Sequence, residues 1–92
     1  MSTPRPRAGH FSILYFASAA SFTNKSSDDL AAPMKLSTLF DHLEDMYPAI
    51  KPKILHSCAL TVNLEYVDVH ADADVLINEG DEVAIIPPVS SG

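Results

Sequence analysis

The sequence predicts one α+β domain in which a single main helix covers one face of a mixed sheet of four or five strands. Three segments predict it: an apolar run near the start, HFSILYFA, an amphipathic stretch after Ser37, and a second apolar run, EVAIIP, near the C-terminus. The chain has 92 residues, which is the size of one small domain.

The first apolar run, residues 10–17, has the alternation of a β-strand. Its residues Phe11, Ile13 and Tyr15 would lie on one face, while Leu14 and Phe16 would lie on the other. Apolar residues on both faces indicate a central strand, or one whose second face meets a partner. Residues 1–9, with two prolines and a glycine, are predicted to be a disordered lead-in.

The middle of the chain predicts the main helix. Residues 17–27 have few large apolar side chains and indicate a short helical turn or loop, and residues 28–34 indicate a weak strand that Pro33 restricts to a sheet edge. Ser37 is the predicted N-cap, and Pro48 ends the helix at about Tyr47. The apolar stripe of this helix consists of Leu39, Phe40, Leu43, Met46 and Tyr47.

The second half predicts a connector at 49–53, short strands at 58–62 and 66–69, an acidic loop at 70–77 and a tight turn at 78–81. The last strand, 82–87, is apolar on both faces and therefore central. This order of elements predicts a β-grasp layout over residues 10–87.

In that layout the two faces of the sheet have different roles. The helix would cover the face of Ile13, Tyr15, Val83 and Ile85. The other face would expose Leu14, Phe16, Ala84 and Ile86. Exposed apolar sheet next to the C-terminus indicates a protein interface.

Composition and charge exclude several classes. The net charge is −6, and four lysines against twelve acidic residues leave residues 10–92 at −8. That charge repels nucleic acid and anionic lipid and suits a partner with a basic face, although solubility alone is an equal explanation. There is no apolar run of the ~20 residues that span a bilayer. A single cysteine, Cys58, excludes a disulfide framework and fits a reducing, cytoplasmic location.

We expect no metal, no permanently bound cofactor and no active site within the chain itself. The chain lacks a glycine-rich phosphate loop. His56 and Cys58 supply too few ligands for zinc and indicate a histidine at a strand entry beside a buried cysteine. Asp72 and Asp74 belong to a solvated acidic loop, because Ile77 stands where a calcium loop needs glycine.

The C-terminal tail, residues 88–92, has the strongest functional signal. Pro87 and Pro88 would hold it extended and away from the sheet, and five residues reach roughly 17 Å. Val89 offers one apolar anchor, followed by Ser90, Ser91 and Gly92, which are slim enough for a narrow channel. The free carboxylate of Gly92 could be adenylated and then attacked by a sulfur nucleophile. The alternative is an incidental frayed end.

The run INEGDEVAIIPPVSSG resembles the C-terminus of molybdopterin synthase small subunits, the sulfur carriers of molybdenum cofactor synthesis. Three further stretches agree with this family: ILYFA in the first strand, the helix that begins at residue 37, and TVN at 61–63. The resemblance extends over residues 10–92, and its tail motif is the specific part.

The resemblance implies a ubiquitin-like β-grasp fold and a carrier role. An activating enzyme would use ATP to adenylate Gly92 and then convert it to a thiocarboxylate. The tail segment Pro87, Pro88 and Val89 would enter the large synthase subunit, where a cyclic pterin precursor receives two sulfurs. Phe16 and Ile86 match positions that contact the large subunit, in a heterotetramer of two small and two large subunits.

One residue departs from the family pattern. The penultimate residue is glycine in the family but Ser91 here, which we interpret as natural tolerance rather than impairment. Two other classes stay open: a sulfur carrier or protein modifier of another pathway, such as transfer-RNA thiolation or thiamine synthesis, and a ubiquitin-like binding module without carrier chemistry.

Overall fold

A computed structural model describes residues 6–88, which form a five-stranded mixed sheet, a small two-stranded sheet and three helices. The strands are β1 (His10–Tyr15), β2 (Ser27–Ala31), β3 (Met34–Lys35), β4 (Ala59–Val62), β5 (Glu65–Val67), β6 (Leu76–Ile77) and β7 (Glu82–Ile86). The helices are α1 (Ser18–Thr23), α2 (Leu36–Met46) and α3 (Ile50–Lys53), with a 3₁₀ turn at Leu55–Ser57.

The main sheet has the strand order β2-β1-β7-β4-β5. Its central strand β7 runs parallel to β1 and antiparallel to β4, and each of those strands pairs with an outer antiparallel strand. This is the β-grasp arrangement, so the predicted fold class and the central position of the last strand are confirmed.

Helix α2 covers one face of the main sheet. Its residues Leu36, Leu39 and Leu43 are fully buried, as are Ile13 and Ile85 on the sheet. The predicted stripe is correct at Leu39 and Leu43 but omits Leu36. At the other end of the helix Phe40 and Tyr47 are half-buried and Met46 is exposed.

The predicted N-cap at Ser37 is wrong, because the N-cap is Lys35 and Ser37 is already the second residue of α2. The backbone N–H of Leu36 donates to the carbonyl of Val75, and that of Ser37 donates to the carbonyl of Ala73. These two carbonyls satisfy donors that a side-chain cap would otherwise serve. A tertiary contact with the acidic loop therefore starts this helix. Its predicted end at Tyr47 is confirmed, since Tyr47 is the C-cap.

A cluster of polar side chains connects the C-terminal end of α2 to the sheet by hydrogen bonds. Tyr47 Oη and Tyr15 Oη donate to one oxygen of Asp28, at 2.6 and 2.9 Å, and Lys25 Nζ donates to the other at 3.0 Å. Burial opposes the charge on Asp28, but the hydrogen bonds from Tyr47, Lys25 and Tyr15 outweigh it and hold the pKa of Asp28 below its usual value. Burial, assisted by Asp28, raises the pKa of Tyr15.

Smaller elements were missed where the sequence indicated connectors. The connector at 49–53 contains α3, and the acidic loop at 70–77 contains β6, which pairs with β3. The predicted edge strand around Asp28–Met34 divides at Pro33 into β2 and β3. The short helical turn within 17–27 is confirmed as α1.

Residues 7–10 make backbone contacts with the turn before β7. The N–H of Gly9 donates to the Glu79 carboxylate, and the N–H of Gly80 donates to the His10 carbonyl at 2.9 Å. Residues 1–5 lie outside the described residues, so the lead-in at 1–9 and the domain boundaries stay predictions. Among residues 6–88, no helix is both long and apolar enough to cross a membrane.

Candidate partner interface and tail exit

The face of the sheet opposite α2, here named the open face, can be derived from the strand register. Residues paired across neighbouring strands share a face, and the register joins Leu14 to Ala84, Ala84 to Thr61, and Thr61 to Tyr66. These four residues form one row across the sheet. A second row, closer to the end of β7, contains Ile86 and its partner Ala59.

The structure brings the two predicted interface residues, Phe16 and Ile86, together. The parallel register pairs Tyr15 with Ile85, and the N–H of Phe16 donates to the Ile85 carbonyl at 3.3 Å. One residue further along both strands, Phe16 and Ile86 are neighbours on the open face. Phe16 is 46% exposed and Ile86 is half-buried.

The prediction that Ala84 is exposed on this face is wrong. Ala84 is only 7% exposed, because it is a small residue on the central strand with Leu14 and Thr61 on either side. Leu14 itself is half-buried. The open face therefore has small side chains at its centre and larger apolar ones at its borders.

Tyr66, which is 76% exposed on the edge strand β5, was not among the predicted interface residues. A signal for it was available, since a two-residue turn at Asn63 and Leu64 fixes the hairpin register that puts Tyr66 opposite Thr61. The side chain of Tyr66 thus belongs to the same face as Ala84. An exposed aromatic ring at the border of an apolar face is typical of a protein interface.

Two of the motifs that carry the family resemblance touch each other at the start of β7. Asn63 Nδ2 donates to the Asp81 carboxylate at 3.1 Å, and the N–H of Glu82 donates to Asn63 Oδ1 at 2.9 Å. Asp81 also accepts the N–H of Asn78 at 2.8 Å, while Gly80 has a φ of 84°, a region that glycine occupies readily. These contacts fix the register of the strand that leads to the tail.

Strand β7, which precedes the tail, ends beside Phe16 and Ala59 of the open face. Pro87, directly after β7, is buried, and Pro88 is exposed. Val89, Ser90, Ser91 and Gly92 lie outside the described residues, so their predicted roles stay predictions. The strand that carries them ends next to Phe16 and Ala59, at the apolar end of the open face.

The chain segment around Cys58 shows no arrangement for metal chemistry. Cys58 is half-buried rather than fully buried, its Sγ contacts the Ile54 carbonyl at 2.8 Å, and burial raises its pKa. His56 is exposed in the 3₁₀ turn. Within residues 6–88, no group of three or more His, Cys, Asp or Glu side chains is placed to hold a metal ion.

Comparison with known proteins identifies the family. The model of the ThiS family matches residues 13–92. A molybdopterin synthase sulfur carrier subunit from Phaeosphaeria nodorum is 59% identical, and the match covers 100% of both chains. The chain belongs to the ThiS family, among the molybdopterin synthase sulfur carrier subunits. The human protein of the same name is 30% identical, with 87% of this chain and 91% of that protein covered.

Several solved structures share the fold. SAMP1 from Haloferax volcanii matches with a TM-score of 0.74 at 20% identity, covering 91% of this chain and 100% of that one. A complex of subunits 1 and 2 of the molybdopterin-converting factor from Helicobacter pylori matches with a TM-score of 0.64 at 19% identity, covering 90% and 99%. At these identities the likeness supports the ubiquitin-like β-grasp fold alone.

Proposed function

We propose that this member of the family carries sulfur on the carboxyl group of Gly92 and donates it in molybdopterin synthesis. The observation that carries the proposal is the full-length 59% identity to a protein named as a molybdopterin synthase sulfur carrier subunit. The terminal glycine and the PPV segment before it supply the chemistry that such a carrier needs.

The reaction has two activation steps. A carboxylate oxygen of Gly92 attacks the α-phosphorus of ATP on an activating enzyme, which forms an acyl adenylate and releases pyrophosphate. A sulfur nucleophile at the oxidation level of sulfide, HS⁻, then attacks the acyl carbon, forms the C–S bond and displaces AMP, which leaves Gly92 as a thiocarboxylate. ATP belongs to the activating enzyme, and this chain contributes only the acyl group.

Inside the large synthase subunit the thiocarboxylate sulfur then bonds to a carbon of the cyclic pterin precursor, cyclic pyranopterin monophosphate, as an oxygen substituent of that carbon leaves. Water hydrolyses the resulting thioester, so the sulfur stays on the pterin and the Gly92 carboxylate is restored. The open face is the proposed docking surface, because its apolar end lies where β7 releases the tail. Docking there would leave the four residues after Pro88 free to enter the partner. We further propose a heterotetramer of two small and two large subunits in the cytoplasm.

Intact-mass analysis tests this function directly. The chain is produced together with its activating enzyme, and we expect the mass to rise by the difference between one sulfur and one oxygen atom. A variant lacking Gly92 is the control, and its mass should not change. A wild-type chain that never acquires sulfur would contradict the carrier function and favour a binding module without carrier chemistry.

Transfer to different acceptors separates this pathway from others. The thiolated chain should convert the cyclic pterin precursor when the large subunit is present. Sulfur transfer to transfer RNA or to the thiamine pathway, with none to the pterin, would contradict the molybdopterin role while leaving the carrier chemistry intact.

A further inference from the structure

Ala17, the residue between β1 and α1, has a backbone conformation that alanine rarely adopts. Its φ is 51° and its ψ is −124°. Positive φ brings the Cβ of an L-residue too close to the backbone, and the left-handed minimum lies near ψ of +30 to +60°. Asn24, with φ 59° and ψ 31°, lies in that minimum, whereas Ala17 lies far from it.

The contacts on either side of Ala17 explain why a single residue must make this turn. The N–H of Phe16 donates to the Ile85 carbonyl at 3.3 Å, and the Phe16 carbonyl accepts the N–H of Ala19 at 2.9 Å. The N–H of Phe16 is thus hydrogen-bonded to the sheet and its carbonyl is hydrogen-bonded to α1. Ala19 is fully buried in the core, so α1 cannot shift to relieve the strain.

Glycine would adopt the same angles without a steric penalty. Of the other positive-φ sites among the described residues, four have glycine or asparagine, and Ala49 and Leu64 are the exceptions. Alanine at position 17 therefore costs folding stability that glycine would not. Strained residues of this kind occur where a fixed local geometry serves function. The neighbouring residue here is Phe16, the exposed aromatic ring of the open face.

We infer that Ala17 is a positioning residue that holds Phe16 ready for the partner. The inference rests on the proposed docking role of the open face. The two hydrogen bonds of Phe16 prevent Ala17 from returning to negative φ, and within the positive-φ region its methyl group excludes backbone angles that glycine would sample, so Phe16 is ordered before binding. Ordering an interface segment during binding costs affinity, and an alanine that is already locked avoids that cost.

The test is Ala17→Gly in the full chain, measured for both stability and binding to the large subunit. Relief of strain should raise Tm by roughly 4 °C. Greater backbone freedom at Phe16 should raise the Kd for the large subunit about threefold to tenfold, mainly through faster dissociation. NMR relaxation should report larger backbone motion at Phe16. Stability and affinity would thus change in opposite directions, which a merely structural role does not predict.

Ala49→Gly is the matched control, because Ala49 is also an alanine with positive φ, at 77°, but it lies between α2 and α3, among the helices that cover the other side of the sheet. It should raise Tm while Kd stays unchanged. Replacement of Ala17 by D-alanine, through ligation at Cys58, should keep the affinity of the wild type, because D-alanine prefers positive φ and remains restricted.

Phe16→Asp separates this inference from the proposed docking face. Weak binding by Phe16→Asp with normal binding by Ala17→Gly would overturn the inference alone. Normal binding by both would overturn the docking face itself. A fall in Tm for Ala17→Gly, or an equal loss of affinity in Ala49→Gly, would also overturn the positioning role.

Discussion

The two faces of the main sheet contain similar apolar residues but use them differently. On the covered face Phe11, Ile13, Val83 and Ile85 are fully buried under α2. On the open face the large exposed side chains are aromatic, Phe16 at 46% and Tyr66 at 76%, and they border a centre of small residues. Successive residues of a strand point to opposite faces, so one residue packs in the core under α2 while its neighbour in the sequence lies on the open face.

Because the two faces are separate, we expect that stability and partner binding can be changed independently in this chain. Burial of apolar area on the covered face holds the fold together. The open face keeps its apolar area available at the end where β7 releases the tail.

Leu39→Ala should have the largest effect on stability. Leu39 is fully buried on α2, and removing its methyl groups leaves a cavity that costs about 2–5 kcal/mol. Urea unfolding would measure the loss, and binding to the large subunit should be normal under conditions where the variant is folded. A strong loss of affinity in the folded variant would show that the two faces are coupled.

Phe16→Asp should instead weaken binding to the large subunit while stability stays nearly unchanged. A charge on the open face should raise the Kd for the large subunit about 30-fold or more, which corresponds to ~2 kcal/mol, while the free energy of unfolding changes by less than about 1 kcal/mol. Titration calorimetry and urea unfolding give the two values.

Leu64→Asp is the matched control for that experiment, since Leu64 is 84% exposed at the tip of the β4–β5 hairpin, away from the tail exit. It should bind with wild-type affinity. If Phe16→Asp binds no more weakly than Leu64→Asp, the open face is not the docking surface.

Asp28→Asn tests the polar cluster on the covered side. It should cost about 1–3 kcal/mol at pH 7, because the carboxylate accepts hydrogen bonds from two tyrosines and a lysine. Asp29→Asn should cost less, since its ion-pair contact with Arg7 is 4.0 Å long.

The effect of Asp28→Asn should also depend on pH. The pKa of Asp28 is lowered in the folded chain, so its carboxylate stabilises the fold above the unfolded pKa of about 3.9 and loses this effect as the pH falls through the lower folded value. The difference between wild type and variant should therefore narrow below about pH 4. A difference that is constant with pH would contradict this role.

Ser91→Gly should have the smallest effect. It restores the glycine that the family pattern has at this position and adds backbone freedom. We expect sulfur transfer that is equal to or slightly faster than that of the wild type, with unchanged stability. A clear loss of transfer would mean that the Ser91 hydroxyl has a specific role.

Patterns of alternation predicted most of this fold. Apolar residues on both sides of Val83–Ile86 correctly placed β7 at the centre, and Phe16 was correctly placed on an exposed face beside Ile86. These features follow from the two-residue repeat of a strand, which any reader of the sequence can apply. The functional signal of the tail, a run of small residues that ends in the glycine carboxylate, can be read from the sequence without a structure.

The features that were missed depend on contacts between distant residues. Leu36 begins α2 only because carbonyls of Ala73 and Val75 meet its first turn. Tyr66 joins the open face through a hairpin register, and Ala17 is strained because Ile85 and Ala19 hold its neighbour. No local pattern contains the partners of Leu36 and Ala17, so the sequence alone does not indicate those two features, whereas the turn at Asn63 and Leu64 was a local signal for Tyr66.

Single-turnover sulfur transfer by Gly92→Ala tests the central claim most directly. The variant is presented with its activating enzyme, the large subunit and the cyclic pterin precursor. A Cβ at position 92 displaces the reacting carbonyl, and a misplacement of about 1 Å can cost ~100-fold in rate. We predict loss of most sulfur transfer with unchanged folding and unchanged affinity for the large subunit, and transfer at the wild-type rate would contradict the carrier mechanism.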